Sequence, residues 1–264
     1  MMVSAVHAPE SLPAATRLLD HGGRVLGGGT LVMAAVNAGE APSSELISLH
    51  RLGLSGITIT EDGVRVGAAT PLRDLLGEPG LAFLHPALRG IGSPTLRNTA
   101  TVGGNLFAGG PYGDLAVCLL ALDATVTVAG RSGTHATTVT GVTGTGGIVT
   151  SVRFGIPEPG TWRYLKAQRR RLNSASIVSV AAVIGPRADD AAGSTRIALG
   201  GVAPSPVRAT SAEAVLAGRP LTATTAEAAG RAALADIAPA DDAYASAWYR
   251  RRVLPVHLRR ALLG

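Results

Sequence analysis

The sequence predicts an α+β protein of two domains, and three observations lead there. The first fifty residues alternate short apolar strands with helical stretches, as a small α/β unit does. From Gly56 onward, period-two alternation and Gly-containing turns take over, which is the mark of antiparallel pairing. In the last third, three Ala-rich stretches carry helical periodicity.

Each element follows from local chemistry. Residues 3–22 read as an entry strand and then a helix, because Pro9 and Ser11 precede Leu12, Ala15, Leu18 and Leu19 at helical spacing. Val25–Leu26 is a short buried strand running into Gly27–Thr30. Leu31–Val36 is a helical turn closed by Asn37 and Gly39, and Glu45–Leu49 is a further strand. Ile57–Thr60 and Val64–Val66 form a hairpin around Glu61-Asp62-Gly63. Thr70 is the expected N-cap of a helix through Leu76, with Pro71 at its first position. Pro86–Ile91 is a helix, Thr101–Gly110 a Gly-rich segment, Asp114–Leu122 an apolar helix and Thr125–Val128 a strand. Residues 130–147 read as a reduced turn or hairpin. Strands follow at Ile148–Phe154, Arg163–Ala167, Ile177–Ile184 and Arg196–Gly200, then helices at Ser211–Ala217, Thr225–Ile237 and Ala243–Leu263. The expected organisation is a first domain over 1–167, with subdomains of about 1–55 and 56–167, and a second over 168–264.

Composition removes several classes of function. With 46% hydrophobic and 16% charged residues over 264 positions, the chain is not disordered. Its single Cys118 allows no intramolecular disulfide and no Cys₄ zinc or iron–sulfur site within the chain. The six His share no metal-ligand spacing, and no Ser–His–acid or Cys–His order suggests a nucleophile. No apolar run reaches the roughly 18–20 residues of a membrane span. Met1–Ala8 has no Lys or Arg before its apolar stretch, so a cytoplasmic location is expected. The net charge of +6 rests on 23 Arg and one Lys. These are scattered, apart from Arg169–Arg171 and Arg250–Arg252, and aromatics make up only 3%. Nucleic-acid binding is therefore not expected. The Arg250–Arg252 and Arg259–Arg260 clusters read as a solvated helix face, with a partner-subunit contact as the lesser alternative.

Two Gly-rich segments are candidates for chemistry. Gly27-Gly28-Gly29-Thr30 follows a strand, and Thr101-Val102-Gly103-Gly104-Asn105 precedes an apolar helix. Consecutive glycines let backbone N–H groups converge on one point, an arrangement suited to phosphate oxygens, with Thr30 and Asn105 as added donors. Neither segment matches the alternating-Gly dinucleotide fingerprint or the Gly-Lys-Thr phosphate loop.

The stretch from Gly92 to Leu106, Gly-Ser-Pro-Thr-Leu-Arg-Asn-Thr-Ala-Thr-Val-Gly-Gly-Asn-Leu, resembles the signature of the FAD-binding subunits of molybdenum hydroxylases. These are the medium subunits of carbon monoxide dehydrogenase and the flavin subunits of xanthine dehydrogenase-type enzymes. Leu26–Leu31, Asp114–Thr125, Tyr164-Leu165-Lys166 and Arg196–Arg208 agree in the same order. The resemblance implies a p-cresol methylhydroxylase-like FAD-binding fold followed by a C-terminal α+β domain. It also implies FAD as cofactor, with Gly27, Gly28, Gly29, Thr30 and Leu31 in one pyrophosphate loop and Thr101, Val102, Gly103, Gly104 and Asn105 in the other.

By the same resemblance Asp114 contacts the ribose–adenine half; read from the residues alone, it caps the 114–122 helix. Val149 matches a backbone contact to the flavin ring and otherwise reads as a core strand residue. Ile91 puts an aliphatic group where some relatives face the flavin with an aromatic one. Lys166, the one lysine, falls where the family's flavin-contacting lysine stands; the bland alternative is a surface lysine on a strand. The implied function is electron transfer: a [2Fe–2S] small subunit supplies electrons from a molybdopterin-binding large subunit, and the flavin passes them to an external acceptor. The alternatives are a stand-alone FAD-dependent oxidoreductase of the same fold, using NAD(P)H or O₂, and a cofactor-free scaffolding subunit.

Overall fold

A computed structural model describes residues 3–40, 45–171, 173–185 and 195–264. Met1 and Met2, the start of the N-terminal stretch read above, lie outside the described residues. In chain order the elements are β1 (Ala5–His7), α1 (Leu12–Asp20), β2 (Arg24–Leu26), α2 (Val32–Asn37), β3 (Glu45–Ser48), β4 (Ile57–Thr60) and β5 (Gly63–Gly67). Then come α3 (Leu72–Leu76), α4 (His85–Arg89), α5 (Pro94–Thr99), α6 (Val102–Leu106), α7 (Asp114–Ala121), β6 (Thr125–Gly130), β7 (Gly133–Thr138) and β8 (Ile148–Phe154). The last third contributes β9 (Trp162–Gln168), β10 (Ser176–Val183), β11 (Arg196–Gly200), β12 (Val207–Arg208), α8 (Thr210–Leu216), α9 (Ala223–Ala232) and α10 (Ala247–Leu263). The fold class is α+β, as the pattern predicts.

The chain forms two compact units that do not follow chain order. The first gathers Met1–Gly80, Ser93–Ala108 and Ala124–Phe154; the second gathers Leu81–Gly92, Gly109–Asp123 and Gly155–Gly264. The single cut expected near 167 describes the order of the sequence, whereas compactness assigns α4 and α7 to the second unit. The reason is packing: α7 lies against β10 and β11.

The first unit holds two sheets. A three-stranded parallel sheet has the order β1-β3-β2, and a five-stranded antiparallel sheet has the order β4-β5-β8-β6-β7. α1 starts where Ser11 Oγ accepts the Ala14 N–H, and its apolar face buries Ala15 with Ile47, Leu49 and Ile148. The region 130–147 holds the turn and return strand of a hairpin, in which β6 and β7 pair from Thr125–Thr138 to Gly130–Gly133, and then a short helical turn at Val142–Gly144.

The expected cap of α3 is corrected. Its N-cap is Pro71, whose ring has no acceptor to offer, and the Thr70 hydroxyl is engaged elsewhere. Thr70 Oγ1 accepts the Gly56 N–H at 2.9 Å and donates to Gly56 O at 3.2 Å, pinning the entrance of the hairpin. The pattern does not predict α5; Ser93 caps it by accepting the Leu96 N–H at 3.1 Å, with Pro94 opening its first turn.

The second unit is built on the antiparallel sheet β12-β11-β10-β9. One face buries Val178, Val180, Ala182, Ile197 and Leu199 with Leu254, Leu258 and Leu262 of α10. Strand alternation turns Ser179 and Gly200 to the other face, where α7 packs. A Cβ at Gly200 would stand 2.5 Å from Val117 Cγ2.

α10 begins at Ala247, four residues later than its periodicity suggests. Ser246 Oγ takes the Tyr249 N–H, and the Asp241 and Asp242 carboxylates take the N–H groups of Tyr244, Ala245 and Ala247, so the segment before the helix is a turn. Arg250 also corrects the solvated-face reading of its cluster. It is 3% exposed and donates to Gly201 O and, at 2.7 Å, to Asp242 Oδ2.

Candidate functional site

The residues singled out in the sequence fall into two groups, one in each unit. In the first unit the strand β2 ends at Leu26, and Gly27–Leu31 leads into α2. This loop lies tight against the end of α5. A Cβ on Gly28 would stand 1.6 Å from Thr99 O, and one on Gly27 would stand 2.7 Å from Thr101 Oγ1. Gly29 has φ +73°, a conformation that glycine adopts at little cost. α2 has Leu31 at its N-cap and no side-chain capping bond. Among the described residues, none accepts a hydrogen bond from the backbone N–H groups of Gly28, Gly29, Thr30 or Leu31. Four successive donors thus stand open in a loop too closely packed for side chains at Gly27 and Gly28.

The second Gly-rich segment has a different character, and the expectation of a free backbone nest there is corrected. Val102–Leu106 is the short helix α6, capped by Thr101. Its N–H groups are already committed: Val102 to Thr70 O at 3.0 Å, Gly103 to Ala68 O at 2.8 Å, Gly104 to Thr101 Oγ1 at 3.1 Å and Asn105 to Thr101 O at 3.0 Å. The glycine at 103 serves close approach, since a Cβ there would lie 2.9 Å from Ala68 Cβ. A buried donor must find an acceptor, and in a helix start without outside ligands the cap and the neighbouring chain supply it. Thr101 remains a candidate in its own right. Its Oγ1 accepts from Gly104, while its own proton has no acceptor among the described residues, and it faces the Gly27 backbone. Val149 sits in β8, 4% exposed and paired with Val128, as a core residue of the antiparallel sheet. The neighbouring Thr150 O receives the Ala68 N–H, which ties β8 to the turn that carries α6.

In the second unit the structure brings Asp114 and Lys166 together. Lys166 Nζ donates to Asp114 Oδ2 at 2.7 Å and to Gly90 O at 2.8 Å. Their side chains are 7% and 5% exposed, so the surface-lysine reading is excluded. Asp114 does not cap its helix; the N-cap is Gly113, in a left-handed conformation. Its second oxygen, Oδ1, accepts from Ser176 Oγ at 2.7 Å. Ile91 directly follows the Gly90 carbonyl that receives Lys166.

Tyr164 lies two residues before Lys166 on β9 and so on the same face. Its hydroxyl is shut from solvent and makes no hydrogen bond of acceptable geometry, and burial, then the Asp114 charge, hold its pKa well above the usual phenol value. Cys118, one helical turn from Asp114, is pushed up by burial and by the same carboxylate, which leaves it an inert thiol. Gly90 and Ser176 escape the sequence reading. Ser176 is one of two serines in the otherwise apolar β10 and stands at its head, which is a usable signal; a backbone carbonyl leaves none.

Among the described residues no cluster of His, Cys, Asp and Glu could hold a metal ion, and no helix is long and apolar enough to cross a membrane. The groups the structure presents are thus an open run of N–H donors in the first unit and a buried ammonium–carboxylate pair in the second. The relatives of this chain make it a flavoprotein subunit of an oxidoreductase, with FAD as its cofactor.

The chain belongs to the family described as the FAD binding domain in molybdopterin dehydrogenase, which matches residues 2–142, and the CO dehydrogenase flavoprotein C-terminal domain matches residues 163–264. It is 30% identical to the carbon monoxide dehydrogenase medium chain of Afipia carboxidovorans, over 97% of this chain and 94% of that one. It is 29% identical to a putative xanthine dehydrogenase FAD-binding subunit of Escherichia coli, over 90% and 87%. Carbon monoxide dehydrogenase from Hydrogenophaga pseudoflava superimposes with a TM-score of 0.89 at 28% identity, over 98% of this chain and 96% of the other. The architecture is accordingly the p-cresol methylhydroxylase-like FAD-binding fold followed by the C-terminal domain of these flavoproteins.

Proposed function

We propose that this chain is the electron-transferring medium subunit of a molybdopterin-dependent hydroxylase or dehydrogenase. It receives electrons from a [2Fe–2S] partner subunit, which in turn draws on a molybdopterin-binding large subunit, and passes them to an external acceptor. FAD supplies the chemistry, exchanging one and two electrons; the protein supplies binding and electrostatics. The observation that carries the reading is the Gly28–Leu31 run of unclaimed N–H groups, which suits the diphosphate of the cofactor. Thr101 adds a hydroxyl donor beside it. Gly103, Gly104 and Asn105 act here by holding Thr101 and α6 against Ala68. In the second unit, Lys166 is the group assigned to the flavin ring, with Ile91 as its aliphatic neighbour.

The naming of the relatives as medium chains and FAD subunits supports the presence of partners. The test is to purify the chain with FAD, mix it with its reduced [2Fe–2S] partner subunit, and follow bleaching of the flavin absorption. Rapid bleaching by that subunit, and none by NAD(P)H alone, is the expected result. Turnover with NAD(P)H or O₂ in the absence of any partner would establish the stand-alone enzyme instead. A colourless protein that does not take up added FAD would establish the scaffold.

A further inference from the structure

The groups around Lys166 are more ordered than a simple ion pair requires. Asp114 is held from both sides, by Lys166 on Oδ2 and by Ser176 on Oδ1, each at 2.7 Å. Ser176 is 1% exposed, and its own N–H is anchored on Pro111 O at 3.1 Å. A carboxylate with both oxygens bonded in fixed directions cannot rotate about its last torsion. The ammonium is bonded to that carboxylate and to the Gly90 carbonyl, so two of its three N–H directions are set, and tetrahedral geometry sets the third. A lysine meant only to supply positive charge needs none of this, and a buried ion pair is weak as a device for stability.

We propose that Asp114 and Ser176 are positioning residues for Lys166: they aim its third N–H and offset its charge, so that the flavin meets a directed donor of reduced net charge. The proposal rests on the reading of Lys166 as a flavin contact. Neutralising an ammonium with a carboxylate at hydrogen-bond distance lowers the field felt nearby. A flavin gains negative charge on reduction, so loss of the carboxylate makes reduction easier and loss of the ammonium makes it harder. The carboxylate's own field reaches the flavin with or without Lys166, whereas the aim that Ser176 imposes through the carboxylate matters only while Lys166 is present.

The experiment is a spectroelectrochemical titration of the bound FAD in the protein as isolated, for wild type, Lys166→Met, Asp114→Asn, Ser176→Ala and both double variants with Lys166→Met. The midpoint potential is expected to fall in Lys166→Met. It should rise in Asp114→Asn and shift by less in Ser176→Ala, where the carboxylate keeps Lys166 but loses one restraint. In the Lys166→Met background the carboxylate's own field remains, so Asp114→Asn still raises the potential, whereas Ser176→Ala, which acts by aiming Lys166, should not move it. Ser176→Ala shifting the potential equally in both backgrounds, or in neither, would overturn the positioning role. An unchanged potential in Lys166→Met would overturn the flavin-contact reading beneath it, a separate result. Should Asp114→Asn not accumulate as folded protein, Ser176→Ala alone decides, since it keeps the ion pair: a shift that vanishes without Lys166 supports the proposal, and no shift in either background defeats it.

Discussion

Lys166 Nζ and Asp114 Oδ2 are 2.7 Å apart, and the two side chains are almost fully enclosed. These residues are 52 positions apart in sequence, on β9 and at the first residue of α7. The sequence singles out each for a separate reason, one as the lone lysine and one as the carboxylate that opens an apolar helix. The fold makes them one unit.

Breaking that unit costs stability. Lys166→Met should destabilise the protein by about 3–5 kcal/mol, because a buried carboxylate is left without its counter-ion. The double change to Lys166→Met with Asp114→Leu should recover a large part of this, since two apolar groups leave no charge behind. Chemical denaturation of the four proteins of this cycle measures the coupling, and simple additivity would show the pair to be independent.

Gly28 is predicted to tolerate no side chain. In Gly28→Ala the new Cβ must find room 1.6 Å from Thr99 O, a backbone atom that cannot swing aside. Loss of FAD and a clear drop in melting temperature are expected together. Gly155→Ala is the control: a Cβ there would meet nothing within 4 Å, so melting and flavin content should match wild type.

Thr101 joins a cap to a free hydroxyl. Thr101→Val removes the acceptor of the Gly104 N–H, a loss of about 0.5–2 kcal/mol, and also the open donor. Weaker FAD binding with a modest fall in stability is expected, measured by flavin release on dilution and by denaturation. Thr101→Ser should restore both, since it keeps the oxygen.

Arg250→Met should cost about 3 kcal/mol in chemical denaturation. It leaves Gly201 O and Asp242 without their buried donor, and Asp242 retains some access to water, which limits the loss. Arg259→Met, on the exposed face of the same helix, should change stability by less than about 0.5 kcal/mol.

His257 gives the protein an acid-side weakness. Burial, followed by the charge of Arg260, lowers its pKa below the ordinary 6.5, and its Nδ1 is enclosed without a partner. The unfolded chain therefore takes up a proton before the folded one does. Stability should fall as pH drops from about 6.5 to the lowered folded value, and then level off. Equilibrium denaturation against pH should show this slope in the wild type and a shallower one in His257→Gln.

Much of the fold is legible because it rests on local signals. The Ile57–Thr60 hairpin alternates and turns on a glycine, and α1 announces itself with Ser11 and a stripe of leucines. Errors arise where a side chain has two possible partners. Thr70 looks like a cap until Gly56, 14 residues earlier, takes its hydroxyl. Gly103 and Gly104 look like an open nest until Ala68 and Thr101 take their N–H groups. In the site, types such as glycine, the single lysine and Asp114 are visible. The contacts that give them meaning, to Thr99 O, Gly90 O and Ser176, are long-range and partly backbone, and no spacing encodes them.

The second unit takes its parts from three separated stretches of the chain, with Leu81–Gly92 and Gly109–Asp123 threaded into the first half of the sequence. This constrains how such proteins can exchange parts during evolution. A crossover just before residue 162 would inherit β9 and Lys166 from one parent but α7, with Asp114 and Val117, from the other. The apolar seat at Gly200 and the charge pair at Lys166 would then be mismatched in a single event. Viable recombinants must carry α4 and α7 along with the C-terminal hundred residues, so heredity in this architecture follows contact rather than contiguity.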